Sequence, residues 1–187
     1  MGAILTQNTN WGNVERAITN LKEADVLEPH RLYALPEQVL AGLIRPAGYY
    51  NIKARRVRSF LAVLVERFAG DLKTLFRGPT LLVRQRLLEI KGIGPETADS
   101  MLLYAGNHAS FVIDAYTQRI FLRHHWCPEE SDYDDLQALC QKTLERSEAR
   151  EMLDYWQDYH AQLVNVGKDY CRKTKSRCEQ CPLKPLL

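Results

Sequence analysis

Leu88-Glu89-Ile90-Lys91-Gly92-Ile93-Gly94-Pro95-Glu96-Thr97-Ala98-Asp99 decides how this chain is read. Leu81, Leu82, Leu87 and Leu88 lead into it as an apolar stripe, and Met101, Leu102 and Leu103 continue beyond it. Gly92 and Gly94 can take positive φ at little steric cost. Pro95 suits the first turn of a helix, where its missing N–H is not needed. The stretch therefore predicts a helix, a tight turn and a second helix. Such a turn aims backbone N–H groups outward from a helix N-terminus, and that is an anion site with a phosphodiester as its natural occupant. A Gly-x-Gly turn alone is a weak signal. It is sharpened by the apolar run Phe111-Val112-Ile113 that ends in Asp114.

Outward from the turn, apolar residues recur at intervals of three and four. Val14, Ala17, Ile18 and Leu21 form one stripe, and Val39, Leu40, Leu43 and Ile44 another. Val57, Phe60, Leu61, Leu64, Val65 and Phe68 form a long third one that stops at Gly70. Ile120, Phe121 and Leu122 follow Asp114; then come Leu136, Leu139, Cys140 and Leu144, and lastly Leu153, Trp156, Tyr159, Leu163 and Val166. This is helical spacing throughout, with no convincing alternation of the strand kind, so the fold class is all-α.

The chain has 187 residues, 45% of them hydrophobic, and a net charge of only +2. That suits one globular unit or two small lobes. The charge is segregated. Residues 45–91 carry eleven Lys and Arg against three acids, residues 165–187 six against two, and residues 126–160 three against ten. A basic region set apart from an acidic one fits a nucleic-acid partner. No apolar run reaches the roughly 18 residues that span a bilayer, and no secretory signal pattern is present. Five cysteines, three of them near the end, favour a reducing compartment and a metal site over disulfides.

These residues together resemble the helix-hairpin-helix DNA glycosylases, in the branch related to endonuclease III. The resemblance rests on the hairpin and Asp114, and extends to Ala3-Ile4-Leu5-Thr6-Gln7-Asn8-Thr9, Gly48-Tyr49-Tyr50-Asn51-Ile52-Lys53-Ala54, and Cys171, Cys178 and Cys181. It implies a two-lobed helical fold. Residues 1–107 would form a barrel lobe with the hairpin at 88–103, residues 108–170 a second lobe, and residues 171–187 a Cys-rich loop. It also implies a chain that lacks its natural start or begins at an internal methionine, because Met1-Gly2-Ala3-Ile4-Leu5 opens inside a helix with no cap before it.

The resemblance makes Asp114 the catalytic carboxylate, beside the anomeric carbon of a nucleotide whose glycosidic bond is breaking. On its own, an aspartate before Ala115-Tyr116-Thr117 reads first as a helix N-cap. Gly92, Ile93 and Gly94 would hold phosphate through their amides, with Lys91 beside them. Lys53, Arg55, Arg56 and Arg58 would touch phosphates without reading sequence. Gln7 and Tyr49 match the residues that fill the gap left by an extruded base. Trp11, Tyr49, Tyr50 and Trp156 are the candidate aromatic walls of a base pocket. Strand-cleaving members of the branch carry a lysine nucleophile where this chain has Glu96. The resemblance thus implies a monofunctional glycosylase closest to the 3-methyladenine group, acting on double-stranded DNA with a damaged base, as a cytoplasmic monomer with no membrane association. Its rivals are a bifunctional glycosylase acting on oxidised pyrimidines, an adenine-mismatch glycosylase and a non-catalytic DNA-binding module.

Cys171 and Cys178 are six residues apart and Cys178 and Cys181 two, the spacing of the branch's [4Fe–4S] loop. The branch places its fourth cysteine where this chain has Leu187. A cluster ordinarily takes four protein ligands, so the resemblance implies a cluster with an unusual fourth ligand, a degenerate site or another metal.

Overall fold

The structure is a computed structural model that describes residues 1–146 and 148–186, with residues 149 and 150 described for their backbone only. Leu187, the position of the expected fourth cysteine, lies outside the described residues. All regular structure among the described residues is helical, with no strand. The chain divides into two compact units, Met1–Met101 and Leu102–Leu187.

The first unit is built around one long helix. Its elements are α1 (Gly2–Leu5), α2 (Trp11–Glu23), α3 (Pro29–Ala34), α4 (Glu37–Leu43), α5 (Tyr50–Phe68), α6 (Leu72–Leu75), α7 (Thr80–Leu88) and α8 (Pro95–Met101), with a 3-10 turn at Arg45–Ala47. Helices α1, α3, α4 and α6 all pack against α5. The buried face of α5 carries Ala54, Val57, Phe60, Leu61 and Leu64, the spacing one side of a helix requires. Side chains close the helix starts that open out of loops. Asn10 accepts from the Asn13 amide at α2, Glu28 from His30 and Arg31 at α3, and Asp71 from Lys73 and Thr74 at α6. Each such cap contributes about 0.5–2 kcal/mol.

The hairpin of α7 and α8 differs from the sequence reading in which face it buries. Val83 and Leu87 are buried, whereas Leu81 and Leu82 are 64% and 54% exposed. Residues 83 and 87 are one helical turn apart and share a face; 81 and 82 point away from it. Beside that face Arg84 grips Asp99 with two parallel hydrogen bonds, Nε to Oδ1 at 2.9 Å and Nη2 to Oδ2 at 3.0 Å. Asp99 is fully buried, so this fork ties α7 to α8. Helix α8 stops at Met101, and Leu102–Gly106 widens into a π turn rather than continuing as α-helix.

The second unit holds that π turn, α9 (Ala115–Arg123), α10 (Tyr133–Thr143) and α11 (Ala149–Asp169), then short 3-10 turns at Cys178–Gln180 and Lys184–Leu186. Its core gathers Phe111, Val112, Ile113, Ile120, Phe121, Leu136, Trp156 and Leu163. Helices α9 and α11 approach closely at Gly167, where a Cβ would stand 2.5 Å from the Tyr116 side chain. Arg119 of α9 adds hydrogen bonds to the carbonyls of Gly167 and Cys171. The closeness of these two helices brings His160 of α11 to within 3.9 Å of Asp114, which precedes α9. Among the described residues no helix is long and apolar enough to cross a membrane.

Candidate active site and cysteine loop

Asp114 stands at the end of the buried run Phe111-Val112-Ile113, in extended conformation, immediately before α9. Its Oδ1 accepts the Thr117 amide hydrogen at 2.7 Å, so Asp114 does cap the helix. Capping uses one oxygen. The other, Oδ2, lies 3.9 Å from Nε2 of His160 on α11. Both side chains are almost out of water, 13% and 11% exposed. On its far side the imidazole is held by Tyr104 of the π turn, with Oη 2.7 Å from Nδ1. Tyr104 is 47% exposed as a residue, but desolvation at its hydroxyl, and then the nearby Asp114 carboxylate, push the phenol up to about 12; like any tyrosine it keeps its proton at neutral pH. Burial also lowers the His160 pKa from the ordinary histidine value, against an opposing pull from Asp114.

His160 and Tyr104 do not figure in the sequence reading. A signal for His160 was present. It falls four residues after Trp156 and three before Leu163, on the apolar side of α11, where an imidazole must find a polar partner. Tyr104 carried no such signal, because only the π turn aims it at His160.

In the first unit the hairpin turn is the other feature of note. Gly92 takes φ +92, and a Cβ there would stand 2.5 Å from the Arg56 side chain, so glycine is required on both counts. Gly94 has no positive φ and nothing near its Cβ direction, so that side of the turn is open. The Ile93 amide donates to the Ile90 carbonyl at 3.0 Å inside the turn, and the Ile93 side chain is buried. Ile93 therefore shapes the turn and cannot offer its N–H to a phosphate; the exposed residues are Lys91, Gly92 and Gly94. Glu96 is exposed in the first turn of α8, where a carboxylate is favoured by the helix dipole.

Lys53 also departs from expectation. It is 1% exposed, and its ammonium donates to the carbonyls of Leu5 at 2.8 Å and Ala47 at 2.7 Å. Desolvation lowers its pKa. A lysine enclosed in this way joins α1 to the Arg45–Ala47 turn and cannot reach a phosphate. Arg58 is likewise turned inward, to the Leu35 carbonyl, and Arg56 donates to Gln7 Oε1. Arg55 is the exposed member of the group. Gln7 donates in turn to Thr97 Oγ1 at 2.8 Å, which fastens the end of α1 to the hairpin. Tyr49 projects, 69% exposed, from a left-handed backbone with φ 45. That conformation is uncommon for a residue with a side chain. Of the other aromatics, Trp156 is a core residue packed edge-on against Phe111, Trp11 lies exposed and bonded to Glu15, and Tyr50 sits beneath Arg45.

In the cysteine loop, Cys171 is buried, Cys181 half-buried and Cys178 exposed. All three line one cavity together with His124 and Arg123. Arg123 approaches Cys171 Sγ to 3.4 Å and donates to the Arg172 carbonyl at 2.7 Å. Yet among the described residues no three His, Cys, Asp or Glu side chains converge on a point that would hold a single metal ion. Zinc needs its ligands gathered at about 2.0–2.3 Å. A [4Fe–4S] cluster differs in that each ligand meets a different iron.

The whole chain has relatives. A candidate DNA repair glycosylase of Methanocaldococcus jannaschii is 45% identical over 186 residues, covering 98% of this chain and 81% of that protein. Among solved structures, the H. pylori 3-methyladenine DNA glycosylase bound to 1,N6-ethenoadenine shares 29% identity with a TM-score of 0.74, over 89% of this chain and 82% of that one. An endonuclease III trapped as a covalent intermediate with DNA shares the fold at a TM-score of 0.81 and 23% identity, over 99% of this chain and 79% of that one. Residues 1–146 match the family model for HhH-GPD superfamily base excision DNA repair proteins. The hairpin at 88–101, the aspartate that follows it and these likenesses have one source: the chain belongs to the HhH-GPD superfamily of base excision DNA repair proteins.

Proposed function

We propose that the protein is a monofunctional DNA glycosylase that hydrolyses the N-glycosidic bond of alkylated bases, with Asp114 as its catalytic carboxylate. The observation that carries this reading is the division of labour within Asp114. Oδ1 is fixed by the Thr117 amide, whereas Oδ2, 3.9 Å from His160 Nε2, is not used by the cap. As the bond breaks, its electron pair leaves with the base and positive charge develops on the sugar. Oδ2 stabilises that charge, water adds to the anomeric carbon, and its proton passes to the carboxylate.

Glu96 argues for hydrolysis rather than lyase chemistry. A Schiff base requires an amine, and a carboxylate at this place in α8 supplies none. Without a covalent nucleophile the reaction favours bases that already leave easily, and an N-alkylated purine with a positive charge is such a base. Similarity to a 3-methyladenine glycosylase supports the same class. Double-stranded DNA is held at the hairpin by the exposed Lys91, Gly92 and Gly94, with Arg55 as a further phosphate contact. Tyr49 serves as the wedge beside the extruded base. Gln7 enters the gap only by exchanging its bonds to Arg56 and Thr97.

Cys171, Cys178 and Cys181 hold a [4Fe–4S] cluster, and among the described residues His124, on the same cavity wall with Nδ1 3.4 Å from the Leu186 carbonyl, is a candidate fourth donor. Such a cluster supplies structural support and redox capacity. No part of base release by Asp114 passes through it.

Base release from duplex carrying 3-methyladenine, followed by chromatography, tests the reading, with duplex carrying an oxidised pyrimidine as the comparison. Release of the alkylated base with no borohydride-trapped adduct is expected. Trapping of a covalent protein–DNA adduct would overturn the monofunctional assignment, and tight binding with no base released from either duplex would favour a DNA-binding module.

A further inference from the structure

We infer that His160 is a positioning residue for Asp114: Tyr104 anchors its imidazole so that a neutral Nε2–H faces the carboxylate oxygen that helix capping does not use. This inference rests on the reading of Asp114 as the catalytic carboxylate.

His160 is 9% exposed, and its Nε2 has no hydrogen-bond partner among the described residues. A buried polar atom left in that state needs an explanation, and active sites are a common one. The hydrogen-bond pattern fixes which nitrogen carries the proton. Tyr104 has a single hydroxyl hydrogen and two acceptors in reach, Nδ1 at 2.7 Å and the Gln157 carbonyl at 3.3 Å. Given to Nδ1, that hydrogen leaves Nε2 protonated and aimed at Asp114. Given to Gln157, it leaves a bare Nε2 lone pair pointed at a carboxylate, which is repulsive. The shorter contact and the electrostatics agree on Nε2–H.

This arrangement acts on the reactive group in two ways. Asp114 is fixed at one oxygen by the Thr117 amide, and a donor facing the second oxygen restrains rotation of the carboxylate plane. At 3.9 Å the N–H is about 1 Å beyond hydrogen-bond length, so a small shift of either side chain closes it. The second effect concerns charge. Among the described residues, the titratable groups that face the imidazole are Tyr104, from the π turn, and Asp114, at the start of α9. The phenol stays protonated, so the pair that titrates is His160 with Asp114. A protonated His160 would form an ion pair with Asp114 and cancel the negative charge that the sugar cation requires. The neutral imidazole orients the carboxylate without neutralising it.

The test uses single-turnover release of 3-methyladenine across about pH 5 to 8, the range in which histidine titrates, alongside DNA affinity and thermal melting. In the wild type the rate is expected to fall toward acid as His160 takes up a proton. His160→Gln keeps an N–H donor and cannot titrate, so it should flatten that fall while preserving most of the neutral rate. His160→Phe removes the donor and should lower the neutral rate by about 10- to 100-fold with DNA affinity unchanged. An unaltered acid fall in His160→Gln, or a wild-type rate in His160→Phe, would overturn the assignment. Asp114→Asn distinguishes the two levels of the argument. If it stays fully active, the catalytic reading itself fails; if it is inactive while the His160 variants behave as wild type, only the role of His160 fails. Nitrogen-15 NMR of the imidazole gives a readout independent of turnover: an Nε2–H tautomer in the wild type that Tyr104→Phe perturbs supports the arrangement, and an Nδ1–H tautomer sinks it.

Discussion

The Thr117 amide donates to Asp114 Oδ1 at 2.7 Å, and because that bond uses only one oxygen, the aspartate that begins α9 keeps the other for the catalytic role proposed for it. The two roles separate by substitution. Asp114→Asn keeps an acceptor at the cap and should melt close to wild type, yet base release should fall by three or more orders of magnitude, each about 1.4 kcal/mol. Asp114→Ala should lose activity to a similar degree and also about 0.5–2 kcal/mol of stability. Single-turnover kinetics and thermal melts on the two variants check both halves.

Stability should depend on pH through His160. Its pKa in the folded protein lies below the ordinary value of 6.5, chiefly from burial. As pH falls through about 6.5, the unfolded chain takes up the proton before the folded one does, so folding loses free energy from there down to the folded pKa. Above that window the contribution is fully present. Urea titrations at a series of pH values should show stability declining below about pH 6.5, and His160→Gln should make the decline shallower.

Much of the fold could be read in the chain because its rules are local. The α5 stripe, the turn forced by Gly92 and Pro95 and the cap at Asp114 each depend on residues a few places apart. The errors are of another kind. Lys53 sits in a basic run that looks like surface, and only the approach of Leu5 and Ala47 reveals that its charge is enclosed by carbonyls. Ile93 belongs to the phosphate-binding pattern by position, but the turn itself consumes its amide. Tyr104 reaches His160 through a π turn that no periodicity announces. In each case the missing information was which polar group the folded chain brings to a given atom.

Lys53 and Arg55 should therefore respond differently to substitution. Lys53→Met leaves the Leu5 and Ala47 carbonyls without their donor and should cost about 1–3 kcal/mol of stability. The salt dependence of its DNA binding should match wild type. Arg55→Ala should leave stability within about 0.5 kcal/mol and reduce the slope of log affinity against log salt by about 1. Equilibrium binding at several salt concentrations, with urea melts, distinguishes a buried strut from a phosphate contact.

The Arg84–Asp99 fork makes the hairpin vulnerable to loss of either partner. Asp99 has no exposure to water, so Asp99→Ala removes both oxygens that the Arg84 fork holds and should cost about 1.5–3 kcal/mol. Replacing both partners by apolar residues of similar volume, as in Arg84→Met with Asp99→Leu, should recover part of that loss, because the fork is then removed from both sides. Denaturant midpoints for the single and double variants give the coupling directly, and a double variant as unstable as the sum of its parts would assign the cost to packing instead.

The cysteine loop differs from a zinc site in the spacing of its donors. Three thiols and the His124 imidazole ring one cavity, but no three of them focus on a single point. If the three cysteines hold the proposed [4Fe–4S] cluster, protein prepared without oxygen should carry iron and acid-labile sulfide in about equal amounts, with visible absorbance to match. It should carry little zinc. His124→Ala should lower iron retention and shift the reduction potential, whereas His124→Cys should restore iron and move the potential downward, because a thiolate stabilises the oxidised cluster more than a neutral imidazole does. Cys178→Ala should abolish iron binding whichever fourth ligand is used. Iron retention in His124→Ala equal to wild type, with an unchanged potential, would remove His124 from the ligand set, and one zinc per chain would exclude the cluster itself.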